Sequence, residues 1–286
     1  MNRDIDIRPL IDEDCFEIGL THIFPMADAR RLVEEEHWLC PFHLDPPMEN
    51  VRLGMKSWLV RAGGRTILVD TCIGQHKERP RHAAWHRRES DRLLREIAAA
   101  GLAPEDIDVV LCTHLHADHV GWNTRLVDGR WVPTFPRARY AMSRREVEDW
   151  RALALTSAGP VNHGAFADSI LPVVDHGLAL YVAAGDALAE GVTVEALPGH
   201  TVEHFGLHVA RAQGAALFCG DAIHSPIQLR VPEWTSAFCG DPQLAIATRI
   251  AMLERAAEEG IELFPAHFRG PGSLRVRRDG GAFRPA

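Results

Sequence analysis

The stretch THLHADHVGW, residues 113–122, sets His114, His116, Asp118 and His119 within six consecutive positions. Imidazole and carboxylate are side chains that bind divalent metals, and alternating histidines on an extended loop turn both rings to one side. Asp118 and His119 then come from the turn that opens the next helix, so one loop supplies two sets of ligands. Four ligands on one loop cannot enclose two ions, and partners must come from elsewhere in the chain.

They come in a repeated format. DVVLCTH ends at His114, VTVEALPGH at His200, AALFCGD at Asp221 and IELFPAH at His267, each a short apolar run followed within a few residues by a donor. Strands feeding a common sheet edge deliver such side chains to one place, where α/β proteins build sites. Five histidines and two aspartates are too many for one tetrahedral zinc and suit two ions sharing a carboxylate.

The elements that position these donors are written in the same sequence. Alternating apolar residues predict strands at CFEIGL, SWLVRA and TILVD, with Gly63-Gly64 as a hairpin turn. A helix is expected from an N-cap at Ser90 to Gly101, a second from Ser143, with Glu146 at capping-box spacing, to about Leu155, and a third from Asp241-Pro242 to Gly260. Further strands are expected at IDVVLC, VTVEAL, FGLHV, AALFC and IELF, and residues 156–178 read as a looser segment. With no repeat or linker, one domain of mixed α/β class over 1–286 is the economical reading. Residues 23–50, rich in proline, aromatic and acidic residues, stand apart as surface, a lid or a dimer arm. Residues 75–89, with four arginines and three histidines, read as surface.

Composition excludes several functions. At 286 residues and 46% hydrophobic content the chain buries a large core, and a formal charge of −8 sets its field against a nucleic-acid backbone. Six cysteines without a CxxC pair read as free thiols in a reducing compartment. The charged amino terminus and the lack of a span-length apolar run imply a soluble, cytoplasmic protein with no membrane partner.

Taken in order, THLHADH, LPGHTVEH, CGDAIH and FPAH, with ILVDT upstream, resemble the metallo-β-lactamase superfamily of hydrolases, in the lactonase, glyoxalase-II and methyl-parathion-hydrolase branch. The resemblance implies an αβ/βα four-layer sandwich with the metals at one edge. It implies that His114, His116 and His200 hold one ion, that Asp118, His119 and His267 hold the other, and that Asp221 bridges them. Asp70, ending TILVD, would brace the ligand loops. Cys72 departs from the glycine that the family carries after DT, which bears on the local turn. The implied cofactor is two zinc ions per chain, with iron, manganese or cobalt also suited to the donors.

An aspartate at 221 and a histidine at 116 separate the chain from zinc β-lactamases and flavodiiron oxidases of the same superfamily. Asp118 and Asp221 are the implied catalytic carboxylates, Asp118 passing a proton to the leaving group. The chain has only two lysines, Lys56 and Lys77, neither beside a ligand segment, so a strongly anionic substrate fits poorly. Trp122 and His224 are expected to touch a small-molecule substrate, with Trp131, Phe166 and Trp234 as further apolar candidates. An ester or lactone with an apolar substituent fits best, ahead of a phosphotriester or thioester. A mononuclear iron persulfide dioxygenase is the alternative of another class. His204 is expected to hydrogen-bond near the ligands, and a homodimer through residues 23–50 is the oligomer the sequence suggests.

Overall fold

Antiparallel pairing opens the fold: strand Asn50–Ala62 turns at Gly63-Gly64 and returns as Arg65–Val69, with Trp58 opposite Val69 and Ala62 opposite Arg65. Both turn glycines have positive φ, 57° and 74°, the backbone that a two-residue hairpin of this hand demands. This computed structural model describes residues 5–270 and 272–286, and its class is mixed α/β, as expected. By its contacts the chain forms two units, one comprising the segment up to Asp12 with Lys56–Val194, the other Glu13–Met55 with Glu195–Ala286.

The first unit is built on a six-stranded sheet in the order Asp6–Gly19, Asn50–Ala62, Arg65–Val69, Val109–Leu111, Arg139–Met142, Ala179–Tyr181, whose first two strands run on past the unit's boundary. The last four strands pair in parallel, which needs crossovers. Helices Arg92–Ala99 and Arg144–Thr156 supply two of them and press Leu93, Ile97 and Val147 into a core with Leu68, Val110 and Tyr140. Ser143 caps the second helix, its side chain accepting from the Glu146 amide at 3.0 Å. The first helix starts one residue later than expected, with Asp91 at the N-cap position, while Ser90 Oγ accepts from the Arg92 amide at 3.3 Å. Within the loose segment the chain forms a π-turn at Phe166–Ile170 and a short helix at Leu171–Asp175.

The second unit carries a five-stranded sheet in the order Glu262–Pro265, Ala216–Gly220, Phe205–Val209, Val192–Ala196, Ala187–Ala189, the last two strands drawing on residues before Glu195. Helix Pro242–Glu259 covers it, burying Met252, Leu253 and Ala256 against Leu217 and Leu263. Asp241 caps that helix and Gly260, left-handed at φ 67°, ends it, as the sequence predicts. Residues 23–50 bury Phe24, Leu32, Leu39 and Leu44 in this unit's apolar core and expose Met26, Val33 and Phe42. No helix among the described residues is long and apolar enough to cross a membrane.

Residues 75–89 correct the sequence reading, because Lys77 and Arg79 are fully buried in the first unit. Arg79 grips Asp168 through two nitrogens at 2.7 and 2.9 Å, while Lys77 Nζ donates to Thr124 Oγ1 at 2.6 Å and lies 3.6 Å from the centre of the Trp131 ring. Burial pulls the Lys77 ammonium down from 10.5 to about 7, against the opposing pull of Asp168. The unfolded chain keeps that proton up to 10.5 while the folded chain releases it near 7, so stability rises with pH between those values. Lys77→Met should flatten this rise in melting temperature relative to the wild type. An unchanged slope would show that Lys77 does not titrate in that window.

Candidate functional site

The donors divide between the two units, with His114, His116, Asp118 and His119 in the first and His200, Asp221 and His267 in the second. In the first unit, strand Val109–Leu111 stops three residues short of His114, and the loop that follows is held from several sides. Asp70, directly after strand Arg65–Val69, accepts from the Thr113 amide at 2.8 Å, from Thr113 Oγ1 at 2.9 Å and from His119 Nδ1 at 2.9 Å. The 3%-exposed Asp70 carboxylate thus spends both oxygens on this loop.

Hydrogen-bond direction then fixes the tautomers. Thr113 Oγ1 donates to Asp70, so it accepts from His114 Nδ1, 3.1 Å away, and His119 Nδ1 likewise donates to Asp70. The lone pairs of both rings lie on Nε2. His116 turns the other way, its Nδ1 facing His114 Nε2 at 3.1 Å. Asp118 is partly exposed and lies 3.9 Å from His119 Nε2. Two more residues complete the support: Glu146, read from the sequence only as a capping-box partner, accepts from the Leu115 amide at 2.9 Å, and the Asn162 side-chain amide donates to the Leu115 carbonyl.

The turn after Asp70 has the glycine-like backbone that Cys72 called into question. Cys72 sits at φ 50°, a left-handed conformation costing a side chain about 1–3 kcal/mol, and Gly121 packs so tightly on Ile73 that an added Cβ would lie 1.9 Å from its carbonyl. Burial of Cys72 and its 3.3 Å contact with Ser57 Oγ hold it there.

In the second unit Asp221 follows strand Ala216–Gly220 directly, and its carboxylate is two-sided. Oδ2 lies 3.4 Å from His200 Nε2 and 3.3 Å from His224 Nε2, while Oδ1 lies 3.1 Å from His267 Nε2. Ligand atoms of His200, Asp221 and His224 all fall within 4.8 Å of one another. His267 Nδ1 donates to the Gly54 carbonyl at 3.0 Å, leaving its Nε2 lone pair toward Asp221. His204 has the opposite tautomer, because its Nε2 accepts the Asp221 amide at 3.0 Å; it positions Asp221 and is no ligand.

His224, expected at the substrate, is 3% exposed, and its ring meets the Asp221 carboxylate through Nε2 at 3.3 Å. Burial lowers its pKa, against Asp221, so the ring is neutral. Its backbone amide is held by Gln228 Oε1 at 2.7 Å. Arg249, fully buried, ties the rest of this loop to helix Pro242–Glu259 through the carbonyls of Ala222, Pro232 and Trp234 at 2.9, 2.7 and 3.0 Å. Sequence gave no signal for it beyond an arginine inside a helix.

The aromatic expectations need correction. Trp122 is 1% exposed and packs within the first unit's core; Phe166 and Trp234 are likewise core, and Trp131 covers Lys77. Trp122 follows Gly121, which packs tightly on Ile73, and leads into strand Thr124–Val127, so its ring folds inward rather than over the loop. The aromatic beside the ligand loop is Trp150, whose ring centre lies 6.3 Å from that of His116. Its signal was its place on the helix that Ser143 opens.

Comparison with known proteins follows the same residues. A family model described as the metallo-beta-lactamase superfamily matches residues 54–267. Ribonuclease Z of Mycobacterium sp. (strain KMS) is 35% identical over 89 residues, 31% of this chain and 25% of that protein. Metallo-beta-lactamase domain-containing protein 1 of Xenopus laevis is 41% identical over 59 residues, 21% of this chain and 20% of that protein. The matched stretches thus span a quarter or less of these curated relatives. Among solved structures, AidC, a dizinc quorum-quenching lactonase, superposes with a TM-score of 0.79 at 20% identity over 100% of this chain and 95% of its own. The hydrolase AbOPH gives 0.78 at 23% identity over 99% and 95%. At these identities the likeness is one of fold.

Proposed function

The chain belongs to the metallo-beta-lactamase superfamily, and from that premise we propose that it is a dinuclear, zinc-dependent hydrolase of an ester or lactone bond in a small, apolar-substituted substrate. His114, His116 and His200 hold one ion in this reading, Asp118, His119 and His267 the other, and Asp221 serves both. The observation that carries it is the two-sided carboxylate of Asp221, met by imidazole nitrogens on each oxygen. The donor set fits the group: Nδ1 of His114, His119 and His267 is tied outward, which leaves each Nε2 lone pair for a metal.

When bound, the metals supply Lewis acidity and lower the pKa of water toward about 7. The residues do the rest. Asp118, the partly exposed carboxylate of the set, takes the proton of the attacking water on its Oδ and returns it to the leaving oxygen. His224, neutral and buried beside Asp221, offers a ring N–H to the substrate oxygen on which charge develops. Trp150 gives the apolar substituent a ring face.

Both lysines are buried, Lys56 at 4% and Lys77 at 0% exposure, which supports a substrate without a strong negative charge. The net charge of −8 weighs in the same direction against RNA, the substrate that the mycobacterial relatives' name carries. The test is hydrolysis of an N-acyl lactone, an aryl ester, a thioester and a phosphotriester by the metal-loaded protein. The highest kcat/KM should fall on the lactone or aryl ester and rise with acyl length. Preference for the phosphotriester would move the chain to another branch, and oxidation of a persulfide without hydrolysis would remove the reading.

A further inference from the structure

Each histidine whose Nε2 is assigned to a metal has something behind its Nδ1, and for His200 that something is unusual. Asp70 stands behind His119, the Thr113 hydroxyl behind His114 and the Gly54 carbonyl behind His267, all oxygen acceptors at 2.9 to 3.1 Å. Behind His200 Nδ1 is the sulfur of Cys239, at 3.4 Å. We infer that Cys239 is the positioning residue of His200: its sulfur accepts the Nδ1–H, which fixes the tautomer and aims Nε2 at the Asp221 side.

The backbone delivers that sulfur with little freedom. Gly240 N donates to the His200 carbonyl and Asp241 N to the Gly199 carbonyl, each at 2.9 Å, so the two residues after Cys239 are zipped to the loop that carries His200. Asp241 caps helix Pro242–Glu259, and Gly199, at φ 122°, lies so close to Ala245 that an added Cβ would meet its nitrogen at 2.3 Å. The ring thus sits between this clamped sulfur and the Asp221–His224 pair, its centre 4.9 Å from that of His224. A thiol is a weaker acceptor than a carboxylate or carbonyl, and groups behind metal-bound histidines set ligand orientation and basicity. Cys239 is accordingly where the metal affinity of this ligand is tuned, and none of the sequence motifs points to it.

This inference rests on the reading of His200 as a metal ligand, and the experiment separates the two. Zn²⁺ affinity is measured by competition with a chromophoric chelator for the wild type, Cys239→Ala, Cys239→Ser and His200→Ala, alongside the melting temperature of each metal-free protein. Cys239→Ala should lose about 10–100-fold in affinity for the weaker-bound Zn²⁺. Cys239→Ser, which keeps an acceptor, should recover most of it, and the metal-free melting temperatures should stay together. Wild-type affinity in Cys239→Ala, or a serine variant as weak as the alanine one, overturns the role of Cys239 while His200→Ala still loses metal. If His200→Ala itself binds Zn²⁺ as the wild type does, the ligand reading falls and the inference with it.

Discussion

Asp221→Ala should leave a folded chain that retains neither a full metal complement nor useful hydrolysis. The carboxylate is 4% exposed and three imidazoles converge on it, so its loss removes the group shared by both proposed ions and leaves His200, His224 and His267 facing an empty space. We expect kcat/KM on the best ester or lactone to fall by more than about 10³-fold, roughly 4 kcal/mol of transition-state stabilisation. Asp221→Asn, which keeps shape and removes charge, should lie near the alanine variant rather than the wild type. Near-wild-type turnover with metal still bound would contradict the assignment.

The second large effect is on stability and lies away from the donors. Asp168→Ala strands the buried Arg79 guanidinium, held at 2.7 Å, and takes from Lys77, 3.5 Å away, the carboxylate that favours its charged form. Removing one partner of a buried pair costs about 3–5 kcal/mol, and the loss should be of that size, since Arg79 keeps its charge while Lys77 can release its proton. At this chain length that corresponds to a fall in melting temperature of about 5–10 °C. Adding Lys77→Met should change this loss little above about pH 7, where the Lys77 amine has already given up its proton. A loss below about 1 kcal/mol, the value of an exposed pair, would mean that Asp168 is not the counterion the geometry makes it.

That cluster also marks where the sequence stopped being legible. Residues 75–89 are charged throughout, and nothing local distinguishes a solvated arginine from one whose partner lies 89 residues away, as Asp168 does from Arg79. The donors were legible because each is announced by its own strand: Leu111, Ala196, Gly220 and Pro265 end strands within four residues of His114, His200, Asp221 and His267. Caps at Ser143, Asp241 and Gly260 were equally local and stand where expected.

Packing was the weaker inference. Trp122 is fixed by the chain three residues after His119, yet which way a ring folds from a loop depends on the tertiary space, and Gly121 packed on Ile73 turns it into the core. The hairpin Thr124–Val127 with Arg130–Pro133, turning at Asp128-Gly129, carried a plain Asp-Gly signal that the larger pattern obscured. The supports behind the donors, Glu146, Gln228, Arg249 and Cys239, act across distances that no motif encodes.

A dinuclear hydrolase must carry its metal, which elemental analysis of the protein purified without added metal measures as ions per chain. Two zinc ions per chain are predicted, dropping to one or none in Asp221→Ala. A single iron per chain, or a chain that holds no divalent metal even after reconstitution with zinc, would contradict the dinuclear hydrolase.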